Sequence, residues 1–469
     1  MNQSEINALA LRTEEFVAHV GQALGSRPQR KRFAEYSLGL LLPGERKSME
    51  PIAARIDPEH AMARFKTFQN FVGCSHWDDH AVRRAAYSWA EPAIRQSGPV
   101  VAWIFDDTGF IKQGKSSVFV HRQYTGTAGK VCNCQVAVSM SIATEALSMP
   151  VDYELYMPEP WASDLERRLE AKVPTELKFR TKPEIALDMI DSALRDGLPP
   201  APVVVDCGYG DNGPFRGTLD CMGLEYVAEI KAKTKVIVGD DLKARRISVG
   251  ELASSLPSGA FRRVTWREGT KGKMTARFAT RRVRVPCDEG EEFREDAKLT
   301  LLIEWADGAA APSKFWLANL SKATARKRLV RLAHIRWRVE RDYEDLKQEL
   351  GLDHYEGRGY VGWNHHVSVC LAAFAFLLRE RALGFPPGGP HFQAFRPSTT
   401  QVRPRGSASA AGTSYPELSG NHPDRNPGSG ATLAAKMSDV QDPLAGTRAG
   451  SRSTPLSHRQ TTTFAECAP

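Results

Sequence analysis

Apolar residues recur along the chain with two different periods, and the change of period divides the chain into segments. Up to about residue 97 the spacing is helical and predicts four helices, at 14–24, 27–42, 60–72 and 79–95. Their exposed faces and connecting loops carry many Arg and Lys residues, which suits DNA contact, although a solvated helical bundle would carry the same pattern. Residues 1–97 are therefore predicted to form a helical, DNA-binding domain.

From residue 98 onward, short apolar runs alternate with an amphipathic helix. A continuous apolar run at 100–105 is closed by Asp106 and Asp107, which predicts a buried strand that ends in carboxylates. Further strands are predicted at 133–144, 150–156, 202–206 and 225–231, and helices at 182–195 and from residue 214. The alternation predicts an α/β domain over residues 98–384.

A β-rich insertion of about residues 234–320 interrupts this pattern. Two runs, 262–267 and 274–285, flank a Gly/Lys turn and predict an arginine-rich hairpin, and strands follow at 299–305 and 314–317. Trp266 and Arg277 in this hairpin suit base stacking and phosphate contact, although a single tryptophan is more often a core residue.

The next segment, 321–350, predicts one long basic helix. Ser321 is a suitable N-cap, and Gly351 stands where a helix needs a left-handed residue to stop. Arg336, Glu340, Tyr343 and Lys347 fall on one face, next to an apolar stripe. Spaced opposite charges of this kind are also ordinary on a solvated helix face. An apolar helix at 364–383 is predicted to pack on the sheet, and the low-complexity tail, 385–469, is predicted to be disordered.

The net charge indicates the kind of partner to expect, and the cysteine spacing indicates the cellular compartment. The formal net charge is +8, which favours a polyanionic partner. No segment is expected to have the length of a membrane span, and the N-terminus lacks the apolar core of a signal peptide. The eight cysteines include no C-x-x-C pair, which favours a reducing cytoplasm over a zinc site or a disulfide framework.

Three carboxylates are the candidates for chemistry. Asp107 and Asp206 each follow a buried apolar run, and Glu340 lies on the late basic helix. Because a bare buried carboxylate costs several kcal/mol, the two aspartates are best explained by convergence on a divalent cation. Tyr209 and Asp211, close to Asp206, are interpreted as turn residues, with a supporting role at the site as the alternative.

The order Asp, Asp, Glu resembles the DDE transposases of bacterial insertion sequences, in particular the insertion sequence 701 family, which is related to the insertion sequence 4 group. The resemblance runs from about residue 10 to 385. It rests on four segments, which read LLLPGERKSMEPIA (40–53), DDTGFIKQGKSSVFVHRQYTGTAGK (106–130), VVVDCGYGDN (203–212) and RWRVERDYEDLK (336–347).

The resemblance implies a ribonuclease-H-like core in which Asp107, Asp206 and Glu340 bind two Mg²⁺ or Mn²⁺ ions. It places the first ligand second in its pair, and Asp106 is the alternative, because neighbouring strand residues point to opposite faces. Arg336, Glu340 and Lys347 match a signature around the last carboxylate, whereas Ala333 replaces its tyrosine. The residues expected to contact DNA are Arg336, Arg341, Tyr343, Lys347, Trp266 and Arg277.

The predicted function is cleavage at transposon ends and strand transfer into target DNA. The implied partner is double-stranded DNA, both the terminal inverted repeats and the target, in a bacterial cytoplasm at the nucleoid. By analogy alone, the pairing of two DNA ends points to a homodimer. A DNA-binding transposase derivative without activity is the alternative. A carboxylate-pair glycosidase ranks last, because the cations around Glu340 would depress the pKa of a catalytic acid.

Overall fold

The computed structural model describes residues 2–239, 245–269, 272–286 and 298–384, so the predicted tail lies outside the described residues. The described chain begins with five helices: α1 (Gln3–Gly21), α2 (Arg27–Leu41), α3 (Met49–Ile56), α4 (Ala61–Gly73) and α5 (Asp79–Gln96). The four helices predicted from apolar spacing are present, but the first spans Gln3–Gly21 and not residues 14–24. The prediction missed the short α3, whose eight residues span only about two turns.

Twelve strands of the described residues form one mixed sheet. They are β1 (Ala102–Ile111), β2 (His121–Thr125), β3 (Lys130–Ala143), β4 (Ser148–Leu155), β5 (Val203–Val205), β6 (Tyr226–Ile230), β7 (Lys235–Val238), β8 (Ile247–Ser248), β9 (Arg262–Gly269), β10 (Gly272–Arg284), β11 (Leu299–Trp305) and β12 (Lys314–Ala318).

The first strands of this sheet have the ribonuclease-H arrangement, which confirms the predicted fold class. The order is β4-β3-β1-β5-β6; β3 is antiparallel to β1 and β4, whereas β1, β5 and β6 run parallel. Parallel neighbours need crossovers on a face of the sheet. The connections contain α6 (Glu159–Ala162), α7 (Leu165–Glu170), α8 (Lys182–Arg195), α9 (Cys207–Gly210) and α10 (Gly213–Cys221).

The predicted β-rich insertion extends the same sheet and does not form a separate layer. From β6 the order continues through β12, β11, β10 and β7 to β8, and β9 pairs with the free part of β10 as the predicted hairpin. A short helix, α11 (Val249–Ser255), and a single 3₁₀ turn (Ser258–Ala260) connect β8 to the hairpin.

The basic helix predicted over residues 321–350 is wrong in its extent and continuity. It is divided into α12 (Arg326–His334), α13 (Trp337–Glu344) and a π turn (Asp345–Glu349). Ser321 does not cap it, because its hydroxyl and carbonyl accept bonds from the N–H groups of Ala323 and Thr324 and form a separate turn. Gly351 has φ +67°, the left-handed conformation expected of the terminating residue.

Two apolar layers cover the two faces of the sheet. On one face, Trp103 and Phe105 of β1 pack in the large core that also contains α8 and the N-terminal helices. On the other face, Ala102 and Ile104 pack in a smaller core with the apolar side of α12 and with Val339 of α13. Alternation along a strand therefore decides which layer each β1 side chain joins.

The last described helix, α14 (Tyr360–Ala382), joins the N-terminal helices to the sheet. It packs on α2, α4 and α5 as well as on β4, more broadly than the predicted contact with the sheet alone. Contrary to expectation, its length and composition match those of a membrane span, but 89% of the apolar window is buried inside the protein. Its side chains form part of a core that is continuous across residue 97, where a domain boundary stays a prediction.

Candidate active site

The adjacent aspartates of β1 point to opposite faces of the sheet. The strand does not end at residue 105 as predicted, because Asp106 and the residues after it continue to pair with β3. Asp106 lies on the face covered by α12 and α13, where its Oδ2 is 2.5 Å from Nη1 of Arg336. Asp107 faces the other layer, where it pairs with the ammonium group of Lys182 and accepts a hydrogen bond from the hydroxyl of Tyr209.

Asp206 lies at the end of β5, as predicted, and caps the N-terminus of α9. Its Oδ1 accepts a hydrogen bond of 2.9 Å from the N–H of Gly208. Val204, two residues earlier, belongs to the α12 layer, so alternation directs Asp206 to the same face as Asp106. A Cβ on Gly210 would lie 1.9 Å from the carbonyl oxygen of Glu229, so glycine permits the close approach of α9 to β6.

Arg336 lies among carboxylates from four elements. Burial lowers the pKa of its guanidinium, but the surrounding negative charges outweigh this effect and leave that pKa raised. The groups responsible, in order of effect, are Asp106, Asp206, Glu340 and Glu229. Glu340, on α13, is exposed. Arg336 thus brings Asp106, Asp206 and Glu340 into one electrostatic neighbourhood.

The protonation of Asp106 is set mainly by its burial. Burial raises its pKa to about 7, while Arg336 and the N–H group of Asp107 act in the opposite direction. The negative charges of Asp206 and then of Asp107 raise the pKa further. A buried carboxyl group whose pKa is raised mainly by burial, and further by neighbouring carboxylates, is a candidate for a functional site.

The donor atoms on this face suit a hard divalent cation, because carboxylate oxygens are the ligands that Mg²⁺ and Mn²⁺ prefer. Among the described residues, however, no three His, Cys, Asp or Glu side chains are grouped closely enough to hold a metal ion. Arg336 pairs with Asp106 at this point, and Lys182 with Asp107. The structure therefore brings Asp206 and Glu340 near Asp106, the alternative to the predicted Asp107, without assembling a coordination shell.

Comparison with known proteins identifies the family. The sequence model described as "DDE superfamily endonuclease" matches residues 19–273, more than half of the chain. The protein belongs to this family. A second model, "Transposase DDE domain", matches residues 180–375.

Individual proteins are similar to this chain at low sequence identity. The chain is 28% identical over 201 residues to a probable transposase for insertion sequence element IS701 from Microchaete diplosiphon. The match covers 43% of the chain and 48% of the relative, so the chain spans about half the length of that protein. Among solved structures, a piggyBac transposase synaptic complex with hairpin DNA matches at a TM-score of 0.40 and 11% identity, over 77% of this chain and 67% of that one.

Three of the residues predicted to contact DNA, all on the α13 segment and the π turn, make internal contacts. Lys347 donates to the carbonyl oxygen of Gly109 at 2.8 Å, and burial lowers its pKa to about 8. The hydroxyl of Tyr343 lies 2.6 Å from that of Ser139 on β3. Arg341 pairs within its own helical segment, 3.1 Å from Glu344 and 3.2 Å from Asp345. Their roles in DNA contact stay predictions.

The predicted hairpin residues lie beside aromatic rings. Trp266 stacks on the ring of His334 with centroids 4.1 Å apart, so β9 is held against the end of α12. Arg277 lies over the ring of Trp305 at 4.3 Å. These contacts agree with the view that a single tryptophan here is a packing residue, and the proposed DNA contact of Trp266 and Arg277 stays a prediction.

Sequence reasoning missed Lys182 and Glu229 and interpreted Tyr209 as a turn residue. A lysine in the first turn of α8 opposes the helix dipole, which is a signal that this cation has another partner. Glu229 interrupts an otherwise apolar strand, and the buried aromatic ring of Tyr209 is unusual for a turn. Each departure from the local pattern marks a side chain close to the carboxylates.

Proposed function

We propose that this protein is a DNA transposase that cleaves DNA at transposon ends and joins the ends to target DNA, with divalent metal ions. The observation that supports it most is the ion pair of Arg336 with Asp106 on the same face of the ribonuclease-H-like sheet as Asp206, with Glu340 on the helix that covers this face. The family and the similarity to a probable insertion-sequence transposase support the same function.

Carboxylate oxygens of Asp206, Glu340 and one aspartate of β1 would hold Mg²⁺ or Mn²⁺. The resemblance supports Asp107 as that aspartate. The location of Asp106 on the face covered by α12 and α13, beside Arg336, supports Asp106 instead. When bound, a pair of such ions activates the attacking water or 3′-hydroxyl and stabilises the leaving oxygen of a phosphodiester. Arg336 would donate hydrogen bonds to the DNA phosphate at the edge of the carboxylate group.

The proposed partner is double-stranded DNA, both the transposon terminal inverted repeats and the target, at the nucleoid in the cytoplasm. The net charge of +8 supports attraction to this polyanion. A homodimer is proposed only because two DNA ends have to be brought together.

The test is a cleavage assay on DNA that carries the inverted repeats, with and without Mg²⁺, for the wild type, Asp206→Asn and Glu340→Gln. We expect metal-dependent strand cleavage by the wild type and a loss of more than about 100-fold in each variant, with DNA binding retained. Asp191→Asn, a half-exposed substitution on α8, is the control and should cleave like the wild type.

A wild-type rate in either carboxylate variant would remove that residue from the site. The absence of three grouped ligands within the described residues keeps one alternative, a DNA-binding derivative without catalytic activity. It predicts that the wild type binds the repeats but does not cleave them at any Mg²⁺ or Mn²⁺ concentration.

A further inference from the structure

A cationic cavity of about 300 Å³ lies where α12 begins, next to strands β10 and β11. Its walls carry four cationic side chains and four hydroxyl groups, and the described lining residues include no carboxylate. The lining consists of Thr280, Arg281, Arg282, Thr300, Ser321, Lys322, Thr324, Arg326 and Leu329. This composition suits an anion with several oxygen acceptors.

The arginines of this cavity repel one another. Burial lowers the pKa of Arg326, and the positive charges of Arg262 and Arg281 lower it further. The Nε atom of Arg326 is enclosed by protein but has no hydrogen-bond partner among the described residues. A buried donor without a partner costs about 1–3 kcal/mol, so a ligand that accepts its hydrogen bond would be stabilised here.

Two further features favour the binding of an anion in this cavity. Arg282 is held in place, since its Nη1 donates to the hydroxyl of Thr300 at 2.8 Å and its Nη2 donates to the carbonyl oxygen of Lys298. Within the described part of the chain, the N-terminus of α12 has no side-chain cap, so the N–H groups of Arg326 and Lys327 at its start can bind an acceptor. A fixed guanidinium and a free helix start together favour a phosphate group.

We propose that this cavity binds a backbone phosphate of double-stranded DNA, as a contact separate from the carboxylate site. The proposal rests on the proposed function, because it takes DNA as the ligand. Arg336 lies ten residues further along the α12–α13 segment, which corresponds to about 15 Å at 1.5 Å per helical residue. One duplex could therefore contact the cavity while another of its phosphates lies at the carboxylates.

The experiment measures binding of a fluorescein-labelled DNA duplex by anisotropy between 50 and 300 mM KCl, with the full-length protein. We expect Arg281→Gln and Arg326→Gln each to weaken binding about fivefold and to reduce the slope of log K against log salt by about one. Arg326→Lys keeps the charge and should retain most of the affinity. Lys327→Gln is the matched control, because Lys327 is exposed on the same helix outside the cavity.

Wild-type affinity and salt slope in both Arg→Gln variants, with folding confirmed by circular dichroism, would overturn the proposal. A second arm titrates inorganic phosphate and follows the melting temperature. If phosphate stabilises the wild type but not Arg326→Gln, while DNA binding is the same in both, the cavity takes a free anion and the DNA assignment is wrong. Neither arm measures cleavage. A protein that binds DNA through the cavity but does not cleave it would therefore support this proposal and contradict only the proposed catalysis.

Discussion

The guanidinium of Arg336 lies 2.5 Å from the carboxylate of Asp106, across the junction between the helical segment α12–α13 and the first strand of the sheet. Arg336 occupies the interruption between the two helices, and Asp106 lies inside a strand. The ion pair therefore ties the broken helix to the sheet at the point where the candidate carboxylates converge.

Arg336→Met should destabilise the protein in a pH-dependent way. Loss of the guanidinium leaves a buried carboxylate without a partner, which should cost about 2 kcal/mol of unfolding free energy at pH 8. At pH 5 the cost should be smaller, because Asp106, whose pKa is about 7, then carries a proton. Urea unfolding at the two pH values measures both. Arg95→Met removes an exposed ion pair with Glu91 and should change little; an equal loss at both pH values would contradict the argument.

The variants Asp106→Asn and Asp107→Asn should show which of the two aspartates is the metal ligand. If the metal ligand is the aspartate on the face covered by α12 and α13, Asp106→Asn should lower the cleavage rate by more than about 100-fold. It should also weaken Mn²⁺ binding, which water-proton relaxation measures. Asp107→Asn should then retain Mn²⁺ binding and lose less activity, through its contacts with Lys182 and Tyr209. The reverse result would favour the aspartate predicted from the sequence resemblance.

Gly210→Ala should disturb the placement of Asp206. The added Cβ would meet the carbonyl oxygen of Glu229 at 1.9 Å, and a backbone atom cannot move aside without shifting α9 or β6. Overpacking of this kind costs about 1–3 kcal/mol, so the melting temperature and the cleavage rate should both fall. Gly73→Ala, at the end of α4, places the new Cβ more than 4 Å from every described atom beyond the adjoining backbone of its own helix and should leave both unchanged.

Stability should fall as the pH rises from 5 to 8, because burial raises the pKa of Asp342, Asp106 and Glu154 to about 7. The folded state holds these protons more tightly than the unfolded chain does. Their stabilisation is therefore complete below about pH 4 and is lost as the pH rises through 7.

Asp342→Asn tests this pH dependence at one site. Asp342 is buried and its Oδ1 accepts a hydrogen bond of 2.9 Å from Ser148, which an asparagine oxygen can also accept. The loss of unfolding free energy between pH 5 and 8 should shrink by at least about 1 kcal/mol, given 1.4 kcal/mol for each unit of pKa difference. Asp191→Asn, at a half-exposed position, should keep the wild-type pH profile, and an unchanged profile in Asp342→Asn would contradict the prediction.

Local pattern was sufficient to predict many elements. β11 and α8 begin and end at the predicted residues, since each is one uninterrupted apolar or amphipathic run with clear ends. The ribonuclease-H-like sheet followed from the resemblance. Its strand order depends on pairing between distant strands, which periodicity does not encode.

The site was less accessible to sequence reasoning. Which of Asp106 and Asp107 faces the helices depends on the register of β1 with β3, and β1 continues past both residues. The partners Lys182 and Tyr209 come from other elements, and only the folded chain brings them to Asp107. The break before α13 occurs inside a sequence whose apolar spacing continues through it, so spacing alone predicted one helix.

The position of α14 bears on how this chain is made in the cell. Its side chains fill the space between α2, α4 and α5, so the first hundred residues to leave the ribosome lack a surface that they need to pack against. That surface is supplied only when residue 382 has been synthesised. Truncated mRNAs that end before the codons of α14 should therefore produce chains that aggregate or are degraded. They should not produce a free DNA-binding fragment that competes with the full-length protein.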